Sequence, residues 1–596
     1  MQASNLGFVW TSPVGGGASR PRCRGCTLRG RPVHRRAPLR TPNRFWTPRL
    51  PTLCVQSTET DTKAEMTPSP AAVAAASSVH QRKTVVVFGA SGRTGRQVLQ
   101  AGVQHWGSRM RFRAVVRDAA ALDDTLGALE AAGEPSPPVD VHAVGDYARM
   151  DDAAVAAALD GADAVLWVAG ARGGVDDGFS PETIDYRALQ RVVQVANRQA
   201  PRPDGMPAAN RLPLQVPQES AALVDFAQHG TLAAAAFHPV DDVVMGGRSR
   251  SAMEYDAAER AALFTGRVTT DGGGGFCQVR CEATTVVAGG RPDGYGEAPL
   301  RASPPNTVWD LGSYDGIVVV VRGDGRRYKV NLRTDDEPEL VFQQELTTTM
   351  TTGRNAAYET HFLPFDQFVP TRRGQTVYGT GAAFYGLQLD AHHIRSIGLV
   401  VSKVEVGGGL SSDFVSGTFA LRCRRIGAYR AVPPRLVVLS SAAVTRPLWS
   451  AEKRRAYPGI ADVPIVQLNP RNILGYKLAG EDALRTEMAA VPERLGVPYA
   501  VVRAVGLNDG DDEQFPGAAS GALVLQQGDT ARGKIQRRAL AAVMLSLLEE
   551  PAAFCKTFEV LQDPRQVEAG GMAGMRERLR EQLRRMPVDV ARALSG

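Results

Sequence analysis

Three evenly spaced glycines, Gly89, Gly92 and Gly95, punctuate the run 84-TVVVFGASGRTGRQVLQAGV-103. The apolar stretch before them reads as a strand, and the stretch after them, apolar at Val98, Leu99 and Val103, as a helix. In that setting Gly89 permits a tight turn, Gly92 lets a pyrophosphate approach the backbone, and Gly95 brings helix close to strand, so phosphate ends at a helix N-terminus. Ser91, Arg93 and Thr94 complete this cradle. The next strand, 112-FRAVVRD-118, ends in Arg117, which sets a cation against the ribose 2′ position and favours NADP(H) over NAD, unless Arg117 pairs with Asp118 or is simply solvated. A third strand, 139-VDVHAVGD-146, ends in Asp146, also assigned to the dinucleotide. Far downstream, 468-LNPRNILGYKLAGED-482 supplies Lys477, read either as a ribose ligand or as the i,i+4 surface partner of Glu481.

The elements that must position these groups follow a βα rhythm. Strands at 84–88, 112–118, 139–146 and 163–171 alternate with helices, the last at 182–199, which predicts a doubly wound parallel sheet. After a Pro- and Gly-containing connection at 200–218 the texture changes to short β-branched runs such as 316-GIVVVVRGDG-325, 327-RYKVNLRT-334 and 398-GLVVSKVEVG-407, the pattern of an all-β sandwich. The rhythm resumes at 435–444, a helix around 475–490, 498–507 and 557–563. The expected organisation is α/β: a first part of the sheet domain at 81–204, an inserted sandwich at 205–432, a second part at 433–565, and a helical tail at 566–596. The tail should pack Met575, Leu579, Leu583 and Met586 on the body. Because the strands flank the insert rather than include it, the sandwich is expected to be separable.

At 596 residues the chain exceeds what one core organises. Its 69 Lys and Arg against 62 Asp and Glu suggest a basic protein, yet ten of the arginines lie in residues 1–58, which hold no acid. The remaining body is slightly acidic, so its charge does not support RNA binding. Residues 1–58, acid-free and rich in Arg, Ser, Thr and Gly, have the composition of a targeting peptide, with 59–80 as a linker. Prolines at 13, 21, 32, 38, 42, 48 and 51 break every amphipathic helix a mitochondrial presequence needs, which favours a plastid over the mitochondrial matrix; a disordered basic arm is the other reading. No apolar run approaches the roughly 20 residues that span a bilayer. Cys277, Cys281, Cys423 and Cys555 form no metal or disulfide framework and read as buried thiols; Asp241 and Asp242 read as turn and capping residues rather than metal ligands.

The motifs GASGRTG, VVRD, Gly145-Asp146 and 499-YAVVRA-504 resemble the atypical short-chain dehydrogenase/reductase superfamily, close to its NmrA-like branch, and imply an NAD(P)-binding Rossmann domain. In catalytic relatives Ser, Tyr and Lys cooperate in a Tyr-x-x-x-Lys geometry, so the resemblance implies Ser440 or Ser441 and Lys477 as catalytic groups if the chain is an enzyme. The tyrosine position holds Ile473, which exchanges no proton. Tyr476 does not replace it, since a neighbour at i−1 on a helix points about 100° away. The insert, through 241-DDVVMGGRSRS-251, 264-FTGRVTTDGGGGFCQVR-280, 315-DGIVVVVRGDGRRYKVNLRT-334 and 362-FLPFDQFVP-370, resembles the CIA30 family, which implies a galactose-binding-like sandwich over about 235–425. A Rossmann domain split by CIA30 behind a transit peptide is similar to a small set of plastid and cyanobacterial proteins, among them a high-chlorophyll-fluorescence factor that supports translation of a photosystem II mRNA and a sister group of that factor, which 440-SSAAVTRP-447, 476-YKLAGEDALR-485 and 527-QGDTARGKIQRRALA-541 resemble more. That implies a stromal or peripheral thylakoid auxiliary protein whose sandwich contacts a protein client of a photosynthetic complex. An NADPH-dependent reductase is the alternative.

Overall fold

The computed structural model describes residues 82–131, 139–147, 149–171, 180–198, 222–283, 308–350, 357–377, 388–406, 408–489, 497–509, 521–566 and 570–592. The expectations for 1–58, for the linker 59–80 and for the connection 200–218 lie outside them. Seven parallel strands form the body of the larger, ten-stranded sheet: β1 (Lys83–Phe88), β2 (Met110–Val116), β3 (Asp140–Ala143), β4 (Ala164–Trp167), β5 (Leu436–Ser441), β6 (Tyr499–Ala504) and β7 (Lys556–Asp563). Their order is 3-2-1-4-5-6-7, the doubly wound arrangement whose switch point lies between β1 and β4. β4 and β5 pair directly, Leu436 beside Val165 and Val438 beside Trp167, although the whole sandwich lies between them in sequence. The strands read as uninterrupted apolar runs because helices cover both faces: Val85 to Phe88 are all fully buried.

Four helices bear on the site: α1 (Arg93–Trp106), α2 (Ile473–Ala489), α3 (Arg537–Leu547) and α4 (Gly571–Arg584). α1 buries the expected Val98, Leu99 and Val103, with Trp106 beside them, and α4 buries Met575, Leu579 and Leu583, with Met586 just beyond it, in the same core. An antiparallel strand, Ala522–Gln526, pairs with β7, which the parallel rhythm did not anticipate. The helix expected over 182–199 begins with a π-helical stretch, Glu182–Ala188, and becomes α-helical at Leu189–Arg198.

The described residues between 222 and 429 form two antiparallel sheets around their own core, where Phe264, Tyr328 and Phe419 meet edge to face. The four described cysteines are buried and unpaired as disulfides. In Gly316–Arg322, Ile317, Val319 and Val321 enter the sandwich core, while Val318 points the other way, into the core of the parallel-sheet body. It is joined there by Phe362 and Tyr429, which pack on Phe554 with ring centroids 5.3 and 5.6 Å apart. The backbone also crosses over: Ala591–Arg592, past the helical tail, pairs with Glu359–Thr360 at the sandwich edge. The expectation of a separable insert therefore meets a shared apolar core and a shared strand pair.

Candidate functional site

A cleft of about 1340 Å³ opens at the C-terminal ends of β1, β4, β5 and β6, where an open α/β sheet offers its ligand crevice. Gly89, at φ +80°, makes the turn after β1; a side chain there would lie 2.5 Å from the backbone nitrogen of Ala169. Gly92 donates its N–H to the Gly89 carbonyl at 3.0 Å and caps α1 without a side chain. The first turn of α1 holds no acid, so its free N–H groups and partial positive charge face the cleft uncompensated. Ser91, Gly92, Arg93 and Thr94 line the cleft, and Arg117, just past the end of β2, lines it as well.

Gly95, read from sequence as the glycine that packs helix on strand, and Asp146 do not line the cleft. Gly95 lies beneath the turn, where an added Cβ would sit 2.2 Å from the Gly89 carbonyl oxygen, so its part is the close packing of α1 on β1. Asp146 is half-buried and outside the cleft wall; the wall position belongs to its neighbour, Tyr147. The Tyr147 hydroxyl accepts from the Gly89 N–H at 2.9 Å and donates to the Val115 carbonyl at 3.1 Å, tying the glycine turn to β2. Burial pushes its phenol up to about 12, so it remains a neutral donor. Nothing in the local sequence distinguishes this tyrosine; only the fold brings residue 147 to residue 89.

Lys477 reaches the cleft wall from α2, and its Nζ is bound to Asp185 Oδ1 at 2.7 Å. Asp185, 3 % exposed in the π-helical stretch, also accepts the Ala171 N–H at 3.2 Å. This corrects the surface-pair reading of Lys477. Glu481 turns inward instead, accepting from the Ser440 hydroxyl at 2.6 Å, from Arg503 at 3.0 and 2.6 Å, and from Arg485 at 3.0 Å. Burial would raise the Glu481 carboxyl, but Arg503 and Arg485 hold it below the usual carboxylate range. Ser440 is thus committed to a buried charge network, and Ser441 donates to the Ala442 carbonyl at 3.0 Å. Ile473 packs against a small apolar cluster of Ala443, Val444 and Leu474. Tyr476 points away from Lys477 and donates to Glu182 at 3.2 Å. The position four residues before Lys477, where a Tyr-x-x-x-Lys arrangement puts its tyrosine, is therefore held by an aliphatic side chain, and the acid bound to Lys477 is Asp185.

The far wall is cationic. Arg446, buried, donates to the carbonyls of Asp529, Ala531 and Ile460, while the Asp529 carboxylate holds the Ala443 and Thr445 N–H groups of the turn after β5. Arg537 opens α3 and bonds Asp509, which also lies 3.6 Å from Arg93. A glycine turn, an uncapped helix N-terminus and flanking arginines fit a ligand with a phosphate chain. No group of three or more His, Cys, Asp or Glu among the described residues could hold a metal ion.

Residues 224–423 match the model of the family described as Complex I intermediate-associated protein 30 (CIA30). No curated protein matches the chain. Among solved structures the chain is similar to a protein assigned as an NAD-dependent epimerase/dehydratase from Bacillus halodurans, at 10 % identity and a TM-score of 0.32, covering 83 % of this chain and 99 % of that one. It is similar to the oxidoreductase YlbE from Lactococcus lactis at 9 % identity and 0.31, over 84 % and 97 %. A yeast methylglyoxal/isovaleraldehyde reductase solved with NADPH aligns over 19 % of this chain and 33 % of its own, at 13 % identity and 0.16.

Proposed function

We propose that the chain binds NADP(H) in the cleft without turning it over, and serves as an auxiliary factor in the biogenesis of a photosynthetic complex in the plastid, photosystem II being the first candidate. The observation that carries the non-catalytic part is Ile473 in its apolar cluster beside a Lys477 already tied to Asp185. A positioned acid contributes typically about 10²–10⁴-fold to a proton transfer, and the tyrosine that would be that acid in a Tyr-x-x-x-Lys arrangement is replaced by Ile473. Binding needs the turn at Gly89 and Gly92, the N-terminus of α1 and Arg117, none of which Ile473 touches. The auxiliary part is supported by the match of residues 224–423 to a family described by its association with a complex I intermediate, transferred here to a partner contact made by the sandwich. The basic, acid-free residues 1–58 support organelle import, with the mitochondrial matrix as the other destination.

A reductase is the second reading, favoured by Lys477 at the wall of a cleft with an intact glycine turn. Calorimetry and an acceptor screen separate the two. NADPH is expected to bind more tightly than NADH, and Arg117→Ala to remove most of the difference, about 1.5–3 kcal/mol for a charge-assisted contact. Lys477→Ala should weaken binding modestly. Sustained oxidation of NADPH by a carbonyl, enone or quinone acceptor, lost on Lys477→Ala, would make the protein a reductase. Purification of the tagged mature protein from its own plastid, with protein and RNA identified separately, tests the client.

A further inference from the structure

The turn that follows Asp241 and Asp242 uses both carboxylates to brace backbone. Asp242, 1 % exposed, accepts from the Ser249 N–H and hydroxyl at 2.9 and 2.6 Å and from the N–H groups of Gly275 and Phe276 at 2.6 and 3.2 Å. Asp241 takes the Ser251 N–H and hydroxyl at 2.7 and 2.6 Å and the Gln278 N–H at 3.3 Å. What this bracing holds out is a single 3₁₀ turn, Asp242–Met245, with Val243, Val244 and Met245 exposed by 41, 76 and 77 %. One exposed aliphatic residue is ordinary, but three in succession on a fixed turn form a surface feature that calls for a partner.

The surroundings define that partner's chemistry. Arg248 is exposed beside the turn, and Arg250 and Arg267, both exposed, lie directly opposite each other across an antiparallel pair, an arrangement that is unfavourable unless an anion joins it. The neighbouring loop, whose Gly272 abuts the Gly246 carbonyl, brings Lys403 through its bond to the Gly273 carbonyl at 3.3 Å. Against these four cations the same loops expose Asp271, and the loop after Lys403 exposes Asp413, which Arg327 binds at 2.8 Å. We propose that this turn docks on an anionic lipid bilayer, with Val244 and Met245 entering the boundary between headgroups and acyl chains while Arg248, Arg250, Arg267 and Lys403 meet lipid phosphates. An apolar apex ringed by cations follows the order of a leaflet read outward, apolar, then anionic, then water, and this complementarity selects the bilayer as occupant. No described helix is long and apolar enough to cross a membrane, so the contact belongs to the surface.

The test uses the full chain with vesicles of phosphatidylcholine alone or mixed with phosphatidylglycerol. Sedimentation with the mixed vesicles is expected, and Val244→Asp with Met245→Asp should lower the bound fraction about tenfold or more. Arg248→Gln with Arg267→Gln should lower it several-fold and flatten its dependence on salt. All four side chains are exposed, so both variants should melt with the parent. Because residues 1–58 carry ten arginines of their own, hydrogen exchange at 243–246 decides the matter, with protection expected on the mixed vesicles only. Vesicle binding that leaves these amides unprotected, or that survives the double aspartate change, overturns the proposal. So does failure of the parent to sediment, and so does loss of an acidic protein partner in the aspartate variant with vesicle binding unchanged.

Discussion

The single groups that matter most behind the cleft are buried charges. Glu559 is fully buried on β7; its Oε2 accepts the Thr530 N–H at 3.2 Å, its Oε1 makes no hydrogen bond, and Arg503 Nη1 is 4.0 Å away. Burial, and then the negative charge of Asp529, push this carboxyl from 4.5 to about 7 against the pull of Arg503. The folded protein therefore holds this proton more tightly than the unfolded chain does. Stability from this group is full below about pH 4.5 and is lost as pH rises through 7. At about 1.4 kcal/mol per pH unit, the loss is roughly 3 kcal/mol. Glu559→Gln should accordingly stabilise the protein at pH 8 and leave it little changed at pH 4.5, as measured by denaturant melts at both values. None of this was legible in sequence. Glu481 and Lys477 sit four apart, which left a surface pair and a ribose ligand as the two readings of Lys477, whereas tertiary packing sends Lys477 to Asp185 and Glu481 to Arg503 and Ser440. The glycines were legible because their constraint is local.

At the scale of elements, the turn from β1 into α1 is a packing problem as much as a binding site. Gly95→Ala places a methyl group 2.2 Å from the Gly89 carbonyl oxygen and 2.7 Å from the Ala90 Cα, both backbone, so the helix must shift bodily. The expected cost is about 3 kcal/mol or more, with loss of dinucleotide affinity, read by thermal melts and calorimetry on the same preparation. Sequence reading found the parallel strands to within a few residues because apolar runs buried on both faces are continuous. It missed Ala522–Gln526 as an antiparallel partner of β7, since a five-residue, mostly apolar run does not state a direction. It missed Ala591–Arg592 for a simpler reason: a strand of two residues has no period.

Across the whole molecule, sandwich and parallel-sheet body are joined by Phe362, Tyr429 and Phe554, and by the returning C-terminal strand. Phe554→Ala is expected to cost about 3–5 kcal/mol and to lower a single calorimetric transition shared by both parts. Removing 205–432 uncovers Phe554 and Leu436 and takes away the partner of Ala591–Arg592, so the excised body should aggregate or lose its cooperative melt; a soluble, cooperatively melting excised body would show that the shared core is dispensable. The direct pairing of β4 with β5 also sets an order of events on the ribosome. At roughly 5–20 residues per second, the stretch between residues 167 and 436 takes on the order of 15–50 s to synthesise. For that interval the inner edge of β4 has no neighbour, and the sandwich can fold first, apart from its last edge contact. That contact waits for Ala591 and Arg592, so the sandwich edge closes only after every strand of the parallel sheet has been made.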